Sequence, residues 1–475
     1  MSTNFIESML RVDDKSHDIT VESVIDHQIE NTTSQNEPTV TFKLSTDASS
    51  FIETSTLSIY WREKLELANG GVYNLAATTA VDDTAEAISG KQSFVYANSY
   101  HQIKSIKIYS NGTDILPPVD NSTAGIIADN YMDKYYTNDY LDTTGLTEFV
   151  FNPRSENTAA LGKAVYIGGN YVEREILLPV LFPFMKTNPV LPPSSSYMFE
   201  ITFRDSSESI CKTSDAALPV KIDREKVVLK NRKIKLSDKG RAAYLQGLSI
   251  IDDKIVHTYL HQRISNPVQI GSAKVTETST CNVDNLATAI DTKVIDWGAS
   301  RATGTYVTRR LKSHQVDIGI DTFPRNGYEN KLATNDVFNS YVRYRRACMN
   351  SSATHKDVVL TIKDFKNANG KWLDCIDVLP DRIHRQFLTT TNNQVIDKIE
   401  LENAPGNSNT YLYTCTFGDA VLLYDGKQSG NFKTIYTKTP LENNPKLDVK
   451  KTMRQNKAAM KARNANPNAE TEIES

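Results

Sequence analysis

The sequence predicts an all-β fold of two consecutive sandwich-like domains, with short helices confined to loops. Three observations predict it. Short runs of alternating apolar and polar residues, the period of a half-buried strand, recur along most of the chain between Gly, Pro, Asn and Ser. A polar, turn-rich stretch at 205–219 (DSSESICKTSDAALP) divides these runs into two series and reads as a linker. The pattern also lacks the strand–helix alternation that builds doubly wound parallel sheets.

In the first series, 39–44 (TVTFKL) places Val40, Phe42 and Leu44 on one face. Residues 56–63 set Leu57, Ile59 and Trp61 against Ser58, Tyr60 and Arg62. Residues 103–109 carry Ile106 and Ile108 on one face and close on Ser110-Asn111-Gly112, a strong turn signal. At 124–136, Ile127, Tyr131 and Tyr135 have helical spacing and predict one short helix inside a loop. Three further strands are expected at 164–167, 175–181 and 197–203. Pro179 and Pro183 interrupt the longest apolar run, 176–185, and exclude a continuous helix through it.

In the second series, 227–236 alternates basic and apolar residues, and 255–264 is a long strand. Its odd positions share a face, so His257, Tyr259 and His261 are expected together on a partly solvated sheet face or subunit contact. Residues 315–322 set Val316, Ile318 and Ile320 against Asp317, Gly319 and Asp321. Strands at 340–348, 358–365, 395–401, 411–417 and 432–437 complete the expectation. Two long loops, 68–93 and 266–305, show little periodicity, and loops of such length usually serve a function. The resulting division is an N-terminal arm (1–37), a first domain (38–205), a linker (206–223), a second domain (224–440) and a tail (441–475). Short strands joined by long loops suit a sandwich or jelly roll better than a barrel of tight hairpins.

The 54 basic and 57 acidic side chains leave a formal charge of −3, which argues against whole-protein attraction to nucleic acid or anionic lipid. No apolar stretch approaches the ~18–20 residues of a membrane helix, and 1–12 lacks the layout of a signal peptide, so a soluble chain is expected. Five widely spaced cysteines without a C-x-x-C pair predict free thiols rather than a disulfide framework or zinc ribbon. The sequons at Asn31, Asn111, Asn121 and Asn350 read as polar loops.

Catalytic signatures fail one by one. Gly90-Lys91-Gln92-Ser93 lacks the upstream glycine of a phosphate loop, and Gly70-Gly71 and Gly168-Gly169 are turn doublets. No G-x-S-x-G elbow occurs. His257 and His261 are four apart but lack the glutamate of a zinc-protease helix. The doublets Asp13-Asp14, Asp82-Asp83 and Asp252-Asp253 fit solvated turns. No enzyme, cofactor, metal site or small-molecule substrate is expected. The marked charge asymmetry lies near the end, where Lys446, Lys450, Lys451, Arg454, Lys457, Lys461 and Arg463 oppose Asp448 alone, before Glu470, Glu472 and Glu474 reverse the sign. This tail reads either as a nuclear-import or phosphate-contacting arm, carried by Lys450, Lys451, Arg454, Lys457, Lys461 and Arg463, or as a solvated end that keeps the chain soluble.

The run 93–113 (SFVYANSYHQIKSIKIYSNGT) resembles the first-domain segment of polinton-type major capsid proteins, through Tyr100, His101, Ile103, Ile106, Ile108, Asn111 and Gly112. Residues 39–60 are similar to that family's opening pair of strands, and 124–140 to its tyrosine-rich helix. The segments 228–244 and 313–342 (SHQVDIGIDTFPRNGYENKLATNDVFNSYV) resemble parts of its second domain. The resemblance implies a double jelly-roll major capsid protein of the polinton, virophage and adenovirus hexon kind. Homotrimers would form pseudo-hexagonal capsomers in the virion capsid, assembled in the host cytoplasm or nucleus. Its implied partners are further copies of itself, neighbouring capsomers, and penton or minor capsid proteins. The tail would face the genome or an internal membrane. The residues alone leave open a minor capsid or vertex protein, or a receptor- or glycan-binding β-sandwich.

Overall fold

The computed structural model describes residues 19–20, 38–45, 50–67, 93–95, 99–116, 118–135, 171–187, 190–191, 196–212, 220–236, 254–282, 287–298, 306–319, 321–324, 329–351, 360–367, 371–378, 394–425, 431–436 and single positions between 238 and 246. The first series comprises β1 (Ile19–Thr20), β2 (Thr39–Ser45), β3 (Ser50–Leu67), β4 (Ser93–Val95), β5 (Ile103–Ser110), β6 (Thr113–Asp114), β7 (Val172–Leu177), β8 (Val190–Leu191), β9 (Ser196–Phe203), β10 (Ile210–Lys212) and β11 (Val220–Leu236). One antiparallel sheet has the order β1-β11-β3-β7, with β8 also on β3, and a second has the order β2-β9-β5-β6. Val40, Phe42, Ile106, Ile108, Phe199 and Ile201 from the second sheet share one buried core with Ile59, Trp61 and Leu229 from the first. Alternation along β5 and β9 is regular because one face is buried and the other is not. Asn111 and Gly112 both take positive φ in the turn between β5 and β6, which their identities permit.

The second series comprises β12 (Lys254–Ile264), β13 (Val268–Ile270), β14 (Thr276–Asn282), β15 (Ala287–Asp296), β16 (Val307–Thr308), β17 (Leu311–Ile318), β18 (Asp321–Phe323), β19 (Asp374–Asp377), β20 (Gln394–Leu401), β21 (Thr410–Asp425) and β22 (Asn431–Tyr436). A seven-stranded sheet runs β12-β21-β15-β16, with β13 and β22 also on β21 and β19 on β15. A four-stranded sheet, β14-β20-β17-β18, faces it. The longer helices α1 (Ala124–Tyr135) and α2 (Phe338–Ser351) and the short α3 (Ile362–Lys366) pack against these sheets or between the two series, and single helical turns form at Leu178–Leu181, Phe184–Thr187 and Ser206–Ser209.

Several expectations are corrected. The linker and the start of the second domain give way at β11. Residues 224–236, expected to open the second domain, belong to a strand paired along β3, from Val220 opposite Leu67 to Lys235 opposite Ser50. Within the linker range, Ser206–Ser209 forms a helical turn and Ile210–Lys212 pairs with β4. The loop expected at 266–305 contains β13, β14 and β15. The strand expected at 340–348 is α2: Arg345 and Arg346 are both exposed while Ala347 and Cys348 are both buried, a pairing that a two-residue period cannot give. The strand expected at 358–365 contains α3, whose start is fixed by the Asp364 carboxylate accepting the Thr361 amide at 2.7 Å. The strand expected at 175–181 stops at Leu177, where Pro179 fits the first turn of the short helix Leu178–Leu181. The strand expected at 315–322 is broken after Ile318, and β18 folds back on β17 with Ile318 opposite Asp321 beside Gly319 at φ +63°. The strand expected at 164–167 and the loop at 68–92 lie outside the described residues.

The two sandwiches are not separate bodies. Tyr259, Ala420, Leu422 and Tyr424 of the seven-stranded sheet belong to the core of the first sandwich. Tyr259 meets Phe184 edge-to-face with ring centroids 5.3 Å apart. Tyr259 and His261 are 5% and 2% exposed, so neither stands on the partly solvated face expected for them, and the His257 side chain lies outside those described.

Candidate functional site

The junction is organised by α1, whose described side chains are nearly all buried because the helix has protein on both sides. Ile127, Ala128 and Met132 pack into the first core. Ile126 packs with Ile295, Trp297, Tyr306 and Tyr413 of the second sandwich. Entry to the helix is closely fitted. A Cβ added at Gly125 would fall 2.3–2.6 Å from the His101 ring, so only glycine allows the ring and helix to meet. The adjacent Tyr100 hydroxyl donates to the Leu177 carbonyl at 3.2 Å and accepts the Leu177 amide at 2.9 Å.

Across this junction four charges meet in two pairs. Lys293 Nζ of β15 lies 2.9 Å from Asp133 Oδ2 of α1. Lys134 of α1 pairs with Asp291 of β15, and its ammonium lies 4.8 Å from the centre of the Phe417 ring. A third carboxylate, Asp129, accepts from the Tyr306 hydroxyl and faces His101 Nε2 at 3.3 Å. The Tyr344 hydroxyl of α2 donates to the Asp133 carbonyl and accepts the Leu360 amide at 3.0 Å. Cys375 and Cys415 stand opposite Asp291 on its two neighbouring strands, and burial, reinforced by that carboxylate, pushes both thiols well up.

A second charge cluster lies inside the second sandwich. His314 Nδ1 is 3.1 Å from Asp374 Oδ1 and Nε2 is 2.9 Å from Asp397 Oδ1, with no side-chain exposure on any of the three. Burial alone would push the imidazolium down, but the Asp397 charge and the Asp374 hydrogen bond outweigh it and raise its pKa to about 9. Asp374 also accepts from Ser340 at 2.7 Å and Arg343 at 2.9 Å. Burial opposes its ionisation, yet Arg343 and His314 hold its pKa below the usual value. Thr292 and Thr414 donate to the other Asp397 oxygen at 2.7 and 2.6 Å. A third cluster joins Glu63 to Arg174 at 2.9 Å, Trp61 Nε1 at 2.9 Å and Gln102 at 3.1 Å in the first core.

The His314 cluster is built to hold a charge: each ring nitrogen faces a carboxylate, so the protonated ring donates at both and keeps no lone pair for a further proton. A cleft of about 340 Å³ opens between the sandwiches beside Asp120, Asn121, Phe182, His261 and Arg263. Among the described residues no three His, Cys, Asp or Glu side chains are placed to hold a metal. Cys281, Cys348, Cys375 and Cys415 form no disulfide and are buried.

The predicted tail residues Lys450, Lys451, Arg454, Lys457, Lys461 and Arg463 lie outside the described residues, as do all three acidic doublets. What sequence reading missed is the set of buried charges. Asp133 and Lys134 carried no sequence signal of burial, because the helix lies within the first strand series and its contact with the second appears only in the fold.

No protein-family model matches the sequence, and no curated protein matches it. Solved structures do. A chain of the Sputnik virophage structure matches with a TM-score of 0.55 at 9% identity, covering 90% of this chain and 91% of that one. PBCV-1 VP54, as fitted into a reconstruction of the same virophage, matches at 0.51 with 11% identity, covering 90% and 98%. The mavirus major capsid protein is similar at 12% identity over 92% and 94% of the two chains, with a TM-score of 0.48. The fold is a double jelly roll, one roll for each sandwich.

Proposed function

We propose that the chain is the major capsid protein of an icosahedral virus or virus-like transposon, with three copies forming a pseudo-hexagonal capsomer. The observation that carries this reading is the end-to-end likeness of both rolls to a chain of a virophage particle, over 90% of this chain. The arrangement suits the task. Three chains of two rolls each set six rolls about one axis, so a trimer can occupy a six-fold lattice position. In this reading the first roll runs through β11 to Leu236 and the second from Lys254 to Tyr436. Sheet edges such as β14, which ends its sheet with Thr276, Thr278 and Thr280 exposed, would be covered by neighbouring copies or minor capsid proteins. The basic run from Lys450 to Arg463 would reach the genome, an internal membrane or the nuclear-import machinery.

Light scattering and electron microscopy of the purified protein test the proposal. The expected result is a dilution-resistant particle of three times the 53.1 kDa chain mass, six-sided in projection. A stable monomer that binds glycans would overturn it in favour of an attachment module. Deleting 446–475 tests the tail: unchanged nuclear accumulation, trimerisation and particle assembly would reduce it to a solvated end.

A further inference from the structure

We propose that the four charges between the rolls act as a register lock, selecting one docking position of α1 on β15 and fusing the two rolls into a single unfolding unit. The inference does not depend on the capsid reading. The helix presents an acid and a base on adjacent residues, Asp133 and Lys134, and the strand presents Asp291 and Lys293 two positions apart. Each base meets the opposite element's acid, Lys293 on Asp133 and Lys134 on Asp291. All four residues are at most 7% exposed. Two strand positions span about 6.6 Å. Sliding the helix by that step along β15 would set Asp133 on Asp291 or Lys134 on Lys293, like charges that water cannot reach.

Apolar contact cannot make this distinction. Ile126 against Ile295 and Tyr413 gains from burial in any nearby register, because the hydrophobic effect has no direction. The charges supply the direction. They also tie the rolls together: without α1, Asp291 would lose Lys134 and Lys293 would lose Asp133 on a strand whose described side chains are almost all buried. The surrounding Tyr344 hydroxyl, Cys375, Cys415 and Phe417 offer no competing full charge at neutral pH.

The test uses the full chain and hydrogen exchange read separately on β5 in the first roll and β17 in the second. In the unmodified protein both segments should open together with the same denaturant dependence; separate opening overturns the inference. A helix-only exchange, Asp133→Lys with Lys134→Asp, should speed exchange in β17 by about 100-fold or more, the factor expected for broken buried pairs. Adding Asp291→Lys and Lys293→Asp reverses every charge and restores each pair, so protection should return to within about tenfold of the original. A four-fold exchange no better than the helix-only exchange would mean packing rather than register, and would sink the proposal. If the helix-only protein is insoluble, a soluble four-fold exchange supports the lock, and joint insolubility leaves coincident or separate opening of the unmodified chain to decide.

Discussion

His314 should make the protein lose stability on the alkaline side, by an amount set by its two carboxylates. Its ring nitrogens face Asp374 and Asp397 at 3.1 and 2.9 Å, so the folded protein holds an imidazolium. The folded-state pKa of about 9 lies above the ordinary value of 6.5. The contribution is therefore complete below about pH 6.5 and is lost as pH rises through about 9. At about 1.4 kcal/mol per tenfold change in proton affinity, the rise is worth about 3 kcal/mol. His314→Gln removes the titration and takes the cation from between two buried carboxylates, leaving Asp374 its contacts with Arg343 and Ser340 and Asp397 those with Thr292 and Thr414, at a cost of about 3–5 kcal/mol at neutral pH. Chemical denaturation at intervals from pH 6 to 10 checks both statements. Other groups titrate in that range, so the informative quantity is the difference between the unmodified protein and His314→Gln, which should narrow by about 3 kcal/mol toward pH 10. A constant difference across the range, or a substitution costing under about 1 kcal/mol, would refute the imidazolium assignment.

Gly125→Ala should destabilise by about 1–3 kcal/mol, because its methyl group meets the His101 ring; thermal unfolding measures it, and His101→Ala should relieve most of the loss. Glu63→Leu alone should cost about 3–5 kcal/mol by removing the carboxylate that pairs with the buried Arg174, whereas pairing it with Arg174→Met should recover most of the stability, as a double-mutant cycle would report. Thiol labelling of the native chain at neutral pH should miss Cys281, Cys348, Cys375 and Cys415. All four are buried, burial raises each thiol, and Cys281 is pushed up to about 11; labelling should reach them only on unfolding.

Strands with one wet face were legible in the sequence: 39–44, 103–109, 197–203 and 395–401 each fall largely or wholly within an observed strand, and so do 255–264 and 432–437. The missed strands lack that contrast for opposite reasons. In β14 (TETSTCN) only Ser279 and Cys281 are buried, so the inward face has no large apolar residue to announce it. In β15 (ATAIDTKVID) nearly every residue is buried, and Asp291, Thr292 and Lys293 look like surface residues until their partners are known. The helices α2 and α3 were misread because short apolar runs do not distinguish strand from helix. Thr361 and Asp364 offered a local start signal for α3. The pairing of β11 with β3 had no sequence signal, because more than 150 residues of chain separate the two strands, a distance that no local pattern spans.

The buried charges explain why two sandwiches of ordinary composition settle into one arrangement. A sheet can gain apolar burial from many placements of a neighbouring helix, so burial alone stabilises a family of similar packings. The charge clusters sit where that ambiguity would be greatest. Asp133, Lys134, Asp291 and Lys293 fix a helix on a sheet between rolls. His314, Asp374 and Asp397 join β17, β19 and β20, and Thr292, Thr414, Ser340 and Arg343 add β15, β21 and α2 to the same cluster. Each cluster is neutral or nearly so only when every element is in place, so a partly assembled roll carries an uncompensated charge in its interior. Such a penalty falls on near-native alternatives and spares the native state, which is what separates one structure from its neighbours.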